Sequence, residues 1–435
     1  MNVTRRDFLA AAALSSASAA FGASGNAQNA MPPQDHMQEH ATHDHAQDHS
    51  AHMEPKPVRP VVPRLPALIC RMAGTGGIDA AYAKLLEGGD TLDAALSLTG
   101  TQENDPNDYT TGLGGLPNED GDVQLDACCL HGPTRRGAAV GGVSGIKNSS
   151  LLARAVMEHT GYSLLVGSDA ERFALAQGFS KEELVTERTR QAWTVWKQIR
   201  SDPGLLGAAI YDPSWPESER KAHFMATSQK DLDQLVHRFE PIAVQTGLSP
   251  QWTWRAVYDA LFPAAEPLYV SCVNEKNEIS SAATSSGLPW RMAGVAGDVT
   301  VIGAGCYLDP EVGSAGASGN AAANIKIAGA RTIVENMRSG MSPEEAGMDA
   351  LRRIVRWHGN DMTALRFVEI VYYILRKDGA YGGVSLWHGD RTGHVRRFAI
   401  HDGLRRSEDC LFLLEGNPPN GVQTVTQRMK NDDPD

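Results

Sequence analysis

The side chains able to attack a carbonyl stand together in one short run, YVSCV at 269–273, where Ser271 and Cys272 follow one another among apolar neighbours. A polar turn, NEKNE, and a second run, ISSAATSSG, come next, which is the pattern of a β-hairpin. A residue in mid-strand has no free α-amine to act as its base, and Cys272 fits better as a small core residue. No Ser/His/Asp order of the hydrolase-elbow type is present, because G-x-S-x-G does not occur between a strand and a helix. The stretch GLGGLPNEDG at 112–121 lacks the Gly-Lys-Ser/Thr ending of a phosphate loop. His131 and His388 each stand alone, and a lone histidine is expected to be a hydrogen-bonded structural residue. Asp126 and Asn148 read as residues that hold loops. Asp298 follows Gly297 in a loop and, by itself, reads as a turn cap.

A second kind of chemistry is written near the N-terminus. His36, His40, His43, His45, His49 and His52 lie among Met31, Met37, Met53 and several acids. Neutral imidazoles bind Cu(II), Zn(II) or Ni(II), and thioethers favour Cu(I). The spacing is loose, so two readings stand: copper or zinc binding of modest affinity, or a solvated linker whose histidines are incidental. None of the cysteines (Cys70, Cys128, Cys129, Cys272, Cys306 and Cys410) forms a C-x-x-C pair, which argues against a zinc knuckle. On a strand, adjacent Cys128 and Cys129 point to opposite faces. The expectation is buried free thiols, although an oxidising compartment permits disulfides.

The segments that carry these residues divide the chain. MNVTRRDFLAAAAL opens with Arg5 and Arg6 before a short Ala-rich run, so residues 1–30 read as a twin-arginine export signal. Residues 31–64 are His- and Pro-rich, carry almost no β-branched or aromatic side chains, and read as a disordered linker. A domain over 65–415 and a flexible tail at 416–435 follow. No run of 18 apolar residues occurs beyond the N-terminus, so no membrane span is expected. The net charge of −12 argues against nucleic acid, whose phosphates need a basic face. Within the domain, LPALICRMA, VQLDACCLHG, GAAVGGVSG and YSLLVGS read as strands. IDAAYAKLLEGG, TLDAALSL with Asp90 or Thr91 as its cap, SSLLARAVMEHT and DAERFALAQGF read as helices. Residues 197–265, with Trp215, Trp252 and Trp254, read as a helical Trp-rich insertion. NAAANIKIAGARTIVENMRSG and SPEEAGMDALRRIVRWHG read as two long helices, and three strands close the domain. The order implies an α+β fold with a helix layer on each outer face of two stacked sheets.

The stretches GLGGLPNEDGDVQLDACCLHG (112–132), GAAVGGVSGIKNSSLLARAVMEHTGYSLLVGSDAERFALAQGF (137–179) and SKEELVTERTRQAWTVW (180–196) closely resemble glycosylasparaginases, as do NEISSAATSSG (277–287), AGDVTVIGAGCYLD (296–309), SGNAAANIKIAGA (318–330) and GAYGGVSLWHG (379–389). The resemblance covers most of 65–400 apart from the insertion. It implies an αββα four-layer sandwich of the N-terminal nucleophile hydrolase type. It also implies a β-aspartyl amidohydrolase acting on glycosylated asparagine, asparagine or an isoaspartyl peptide. Such enzymes cut themselves before a Thr whose new α-amine serves as base.

Carried over residue by residue, that Thr falls on Pro267, and the His-Asp before it falls on Ala265 and Glu266. Proline has no hydroxyl and cannot perform the N–O shift of self-cleavage. Ser285 takes the place of the family's second active-site Thr. Ser318 and Gly319 match the Thr-Gly of the oxyanion hole. Asp298 matches the substrate-binding Asp. The substrate-binding Arg falls on Val295, with Arg291 four residues away as a substitute if the loop bends differently. Ser271 and Cys272 are the weaker nucleophile candidates, since they lie about four residues past the expected place, on the order of 13 Å along a strand. No cofactor is expected. The partners expected are a small amino-acid-like substrate or ligand and a second copy in a homodimer. Three functions follow: an exported amidohydrolase, a non-processed pseudoenzyme binding an amino-acid-like ligand or a partner, and periplasmic metal handling through the His-rich linker.

Overall fold

The computed structural model describes residues 62–71, 75–201, 229–261 and 263–418. The export segment 1–30, the six linker histidines and residues 419–435 lie outside the described residues. So does the stretch 202–228 of the expected insertion. Among the described residues no helix is long and apolar enough to cross a membrane.

Two sheets form the frame. The larger runs β12–β11–β1–β5–β6–β2–β3–β4. Its strands are β1 (Ala67–Arg71), β2 (Gln124–His131), β3 (Arg136–Ser144), β4 (Leu164–Val166), β5 (Leu268–Val273), β6 (Ile279–Ser285), β11 (Arg397–His401) and β12 (Arg405–Asp409). The smaller runs β13–β10–β9–β8–β7, with β7 (Cys306–Asp309), β8 (Gly313–Gly319), β9 (Ile370–Arg376), β10 (Tyr381–Trp387) and β13 (Leu411–Leu414). Pairing is antiparallel except for β3–β4 and β10–β13. The expected hairpin is β5–β6, turned through Asn277 at φ +61°.

The pleat sorts side chains between cores. Along β5, Leu268, Val270 and Cys272 join an apolar cluster with α1 (Ile78–Leu86), α2 (Thr91–Glu103) and α3 (Ser149–His159). Tyr269 and Val273 point the other way and join Val371, Tyr373 and Leu375 of β9 in a cluster shared by the two sheets. A third cluster joins β9 and β10 to α9 (Gly329–Arg338) and α10 (Pro343–Trp357). Cys128 and Cys129 separate in the same way, one into the shared cluster and one into the helix-facing one.

Local signals explain most boundaries. The Asp90 carboxylate caps α2 by accepting from the Leu92 and Asp93 N–H groups, and Ser342 and Glu345 form a capping box on α10. The short α4 (Gly167–Ala176) closes at Gly178, at φ +90°. Among the described residues, three helices stand in the Trp-rich region: α5 (Glu187–Ser201), α6 (Gln229–Gln245) and α7 (Pro250–Leu261). Their Val195, Ile199, Phe239 and Val257 share a cluster in which Trp196 stacks on Trp290 at 5.6 Å.

Two expectations change. The segment 320–339 is not one long helix. Ala328 takes a left-handed conformation at φ +46°, dividing it into α8 (Ala321–Ile327) and α9. The division lets Gly329 pass the Asn324 and Tyr372 side chains, which would lie 2.0 and 2.3 Å from any Cβ there. The three strands expected over 367–403 are β9, β10 and β11, and among the described residues two more that were not expected, Arg405–Asp409 and Leu411–Leu414, follow and extend the two sheets. A last short helix, α11 (Met362–Leu365), is capped by Asp361.

Candidate functional site

The β5–β6 ladder ends at the Leu268–Thr284 pair, and its next step sets buried Pro267 against Ser285. Across the sheets, Ser271 Oγ lies 2.5 Å from Ser314 Oγ of β8. Two residues back along β5, the Tyr269 ring fills the space where a Cβ on Gly316 would stand, 1.9 Å from Cδ2. One more pleat brings Pro267 and Ser318 to the same end of the stacked strands. Pro267, Ser285 and the Ser318–Gly319 corner therefore converge. Ser285 Oγ accepts from the Gly287 N–H at 2.8 Å. Gly319 has φ +123°, and a Cβ there would meet the Glu369 carbonyl oxygen at 2.0 Å, so only glycine turns this corner into α8.

Ser271 and Cys272 do not reach this end. Ser271 is tied to Ser314 within the shared core, and Cys272 faces the helices. Burial pushes the Cys272 thiol well up, which opposes thiolate formation.

Asp298 starts a short 3₁₀ turn and is buried. Asn324 Nδ2 donates to its Oδ2 at 2.6 Å, and the Tyr372 hydroxyl donates to Asn324 Oδ1 at 2.8 Å. Burial pushes the Asp298 carboxyl up to about 6, against the hydrogen bond from Asn324. Val295 is exposed on the loop before it.

Arg291 is held elsewhere. Its Nη1 bonds Asp126 Oδ2 at 2.7 Å and its Nη2 bonds the Gln124 carbonyl at 2.8 Å, with both ionic groups buried. Asp126 sits where the β2–β3 register shifts and is paired with Ser285 in the β2–β6 ladder. It also accepts from the Gly142 and Gly297 N–H groups, each at 2.9 Å. The ion pair thus ties the loop that carries Asp298 to the strand beside Ser285.

Around Glu266, the residue before Pro267, lies a charged cluster that the sequence did not suggest. Arg71 donates to the Glu266 carbonyl and to its Oε2, both at 2.7 Å. Burial acts to raise the Glu266 carboxyl, but the Arg71, Arg391, Arg255 and Arg396 guanidiniums hold it down at about 2. Arg396 pairs with Glu369, next to the Gly319 corner. Burial lowers Arg396 to about 10. Arg255 Nε bonds Asp259 Oδ2 at 2.8 Å, and Arg391 Nη2 reaches Asp259 Oδ1 at 2.7 Å.

Glu103, at the end of α2, was also missed. It is fully buried and accepts from Thr284 Oγ1 at 2.7 Å and from the Ser150 N–H at 2.9 Å. Burial raises its carboxyl despite those bonds. A lone acid ending a helix gives no sequence signal of such surroundings. His131 bonds Asp90 at 2.9 Å and Thr134 at 2.8 Å, and His388 packs on Phe412. Among the described residues no group of three or more His, Cys, Asp or Glu is arranged to hold a metal ion.

The chain matches the model of the Asparaginase family over residues 72–224 and 269–365. It is 30% identical over 322 residues to the N(4)-(Beta-N-acetylglucosaminyl)-L-asparaginase of Elizabethkingia miricola, covering 74% of this chain and 77% of that protein. It is 27% identical to the proteins of that name from Mus musculus, over 73% of this chain and 83% of that one, and from Rattus norvegicus, over 68% and 78%.

Proposed function

The chain belongs to the Asparaginase family, and on that premise we propose that it is an exported, glycosylasparaginase-like amidohydrolase of β-aspartyl amides. The substrates proposed are a glycosylated asparagine, asparagine itself or an isoaspartyl peptide. The convergence of Ser285 with the Ser318–Gly319 corner, beside the loop that carries Asp298, supports this reading. In it Ser318 and the Gly319 N–H stabilise the oxyanion, Asp298 binds the substrate amine, and Ser285 keeps the hydroxyl of the family's second active-site threonine. Arg291 anchors the loop by its pair with Asp126. The same proposal includes the αββα arrangement of the layers, the helical insertion, a homodimer, and export by the twin-arginine route.

A second reading is favoured by one observation: residue 267 is a proline, without hydroxyl or primary amine. In that reading the chain stays whole and the site binds an amino-acid-like ligand without cutting it. Purified full chain is incubated with asparagine, N-acetylglucosaminyl-asparagine and an isoaspartyl dipeptide, and released ammonia and aspartate are measured. Release that Ser285→Ala abolishes supports hydrolysis. No release, with calorimetric binding of the same compounds, supports the second reading. Neither release nor binding overturns both.

A further inference from the structure

The arginine cluster lies beside Pro267 but is not built from the parts of the chain that match the family. Each of its arginines and carboxylates falls outside 72–224 and 269–365. Arg71 ends β1, Arg255 and Asp259 stand one turn apart on α7, Glu266 precedes β5, Glu369 precedes β9, and Arg391 and Arg396 precede β11.

Three carboxylates serve four guanidiniums there. Arg71 is bound twice by Glu266, and Arg396 is paired with Glu369. Arg255 and Arg391 share Asp259, whose side chain is only 4% exposed. One donor is left unmet: Arg255 Nη2 is buried and has no hydrogen-bond partner among the described residues. A buried, unpaired guanidinium nitrogen is costly, and such groups in folded proteins mark a missing partner. The surroundings define its chemistry. Arg255 stacks over the Tyr109 ring at 4.7 Å, which orients its planar fork. Arg255 is the more open member of the Arg255–Asp259 pair, at 24% side-chain exposure.

We propose that Arg255, oriented by Asp259 and Tyr109, is the anion-recognising donor of a binding site for a small carboxylate-bearing molecule beside Pro267. A carboxylate on Nη2 gives the fourth guanidinium the acidic counterpart that the other pairs already have. The site is independent of whether the chain hydrolyses what it binds.

The test is calorimetric titration of the full chain with succinate and, in parallel, with uncharged succinamide. The expected result is binding of succinate, none of succinamide, and at least tenfold weaker succinate binding in Arg255→Gln. Arg255→Lys is the second variant. It keeps a cation for Asp259, so it is expected to melt like the parent, but it lacks the second nitrogen and should lose affinity equally. Equal affinity for succinate and succinamide, no binding of succinate by the parent, or unchanged affinity in Arg255→Lys overturns the proposal. A chain that binds succinate through Arg255 yet releases no ammonia overturns only the hydrolase reading. An active chain indifferent to Arg255 overturns only this one.

Discussion

Pro267 is the residue immediately beyond the last rung of the β5–β6 ladder, and Ser285 is its counterpart across that ladder. The position where the family's self-cleavage needs a hydroxyl thus holds a ring without one. The expectation is a chain with no break between Glu266 and Pro267. Denaturing electrophoresis and intact mass check it, and two fragments divided at that bond would refute it.

The buried Asp126–Arg291 pair should dominate the stability of the loop over 287–298. Replacing one partner strands the other charge, so Asp126→Asn is expected to cost about 3–5 kcal/mol. The double variant Asp126→Asn/Arg291→Met should cost less than the sum of the singles. Urea unfolding of the three variants measures both statements.

Asp298 should make stability fall as pH rises. Its carboxyl titrates at about 6 in the fold against an ordinary 3.8, so the folded chain holds more protons between those values. The stability lost across that window is roughly 3 kcal/mol, on the order of 1.4 kcal/mol per pH unit. Asp298→Asn should flatten this slope in urea midpoints measured from pH 4 to 7.

Glu266 should act with the opposite sign. Held at about 2 against an ordinary 4.5, its carboxylate stabilises the fold above pH 4.5 and loses that contribution as pH falls towards 2. Glu266→Gln should lower stability at neutral pH by about 3 kcal/mol or more, since Arg71 loses its partner. It should also weaken the acid dependence of the unfolding midpoint.

Gly316 carries the Tyr269 ring. Gly316→Ala places a methyl onto the ring face, 1.9 Å from Tyr269 Cδ2, and is expected to cost about 1–3 kcal/mol through overpacking. Pairing it with Tyr269→Ala should relieve part of that loss, which thermal unfolding will show as non-additivity.

The hairpin, the Asp90 cap and the alternation of Cys128 and Cys129 were legible in the sequence, because turn chemistry and pleat periodicity are local. The resemblance placed Ser285, Ser318, Gly319 and Asp298 by number. What they meet in space depends on register between strands far apart in the chain. The pairing of Arg291 with Asp126, 165 residues away, has no local signature. The arginine cluster was invisible for the same reason: its members come from five separate segments, each unremarkable alone. The break at Ala328 was missed because alanine is the strongest helix former, and tertiary packing overrode that preference.

The position of β1 has a consequence for how the chain reaches its fold. The strand lies between β5 and β11, so Leu68 pairs with Cys272 on one side and with His401 on the other. The first strand of the described fold thus waits for partners from the middle and the far end of the chain. Closing loops of that length precedes the reward of pairing, and such topologies fold slowly. A nascent chain stopped before residue 397 would present β1 with an open edge, ready to pair with another molecule. Assembly of this protein is therefore expected to be late and abrupt, completed only when β11 is available.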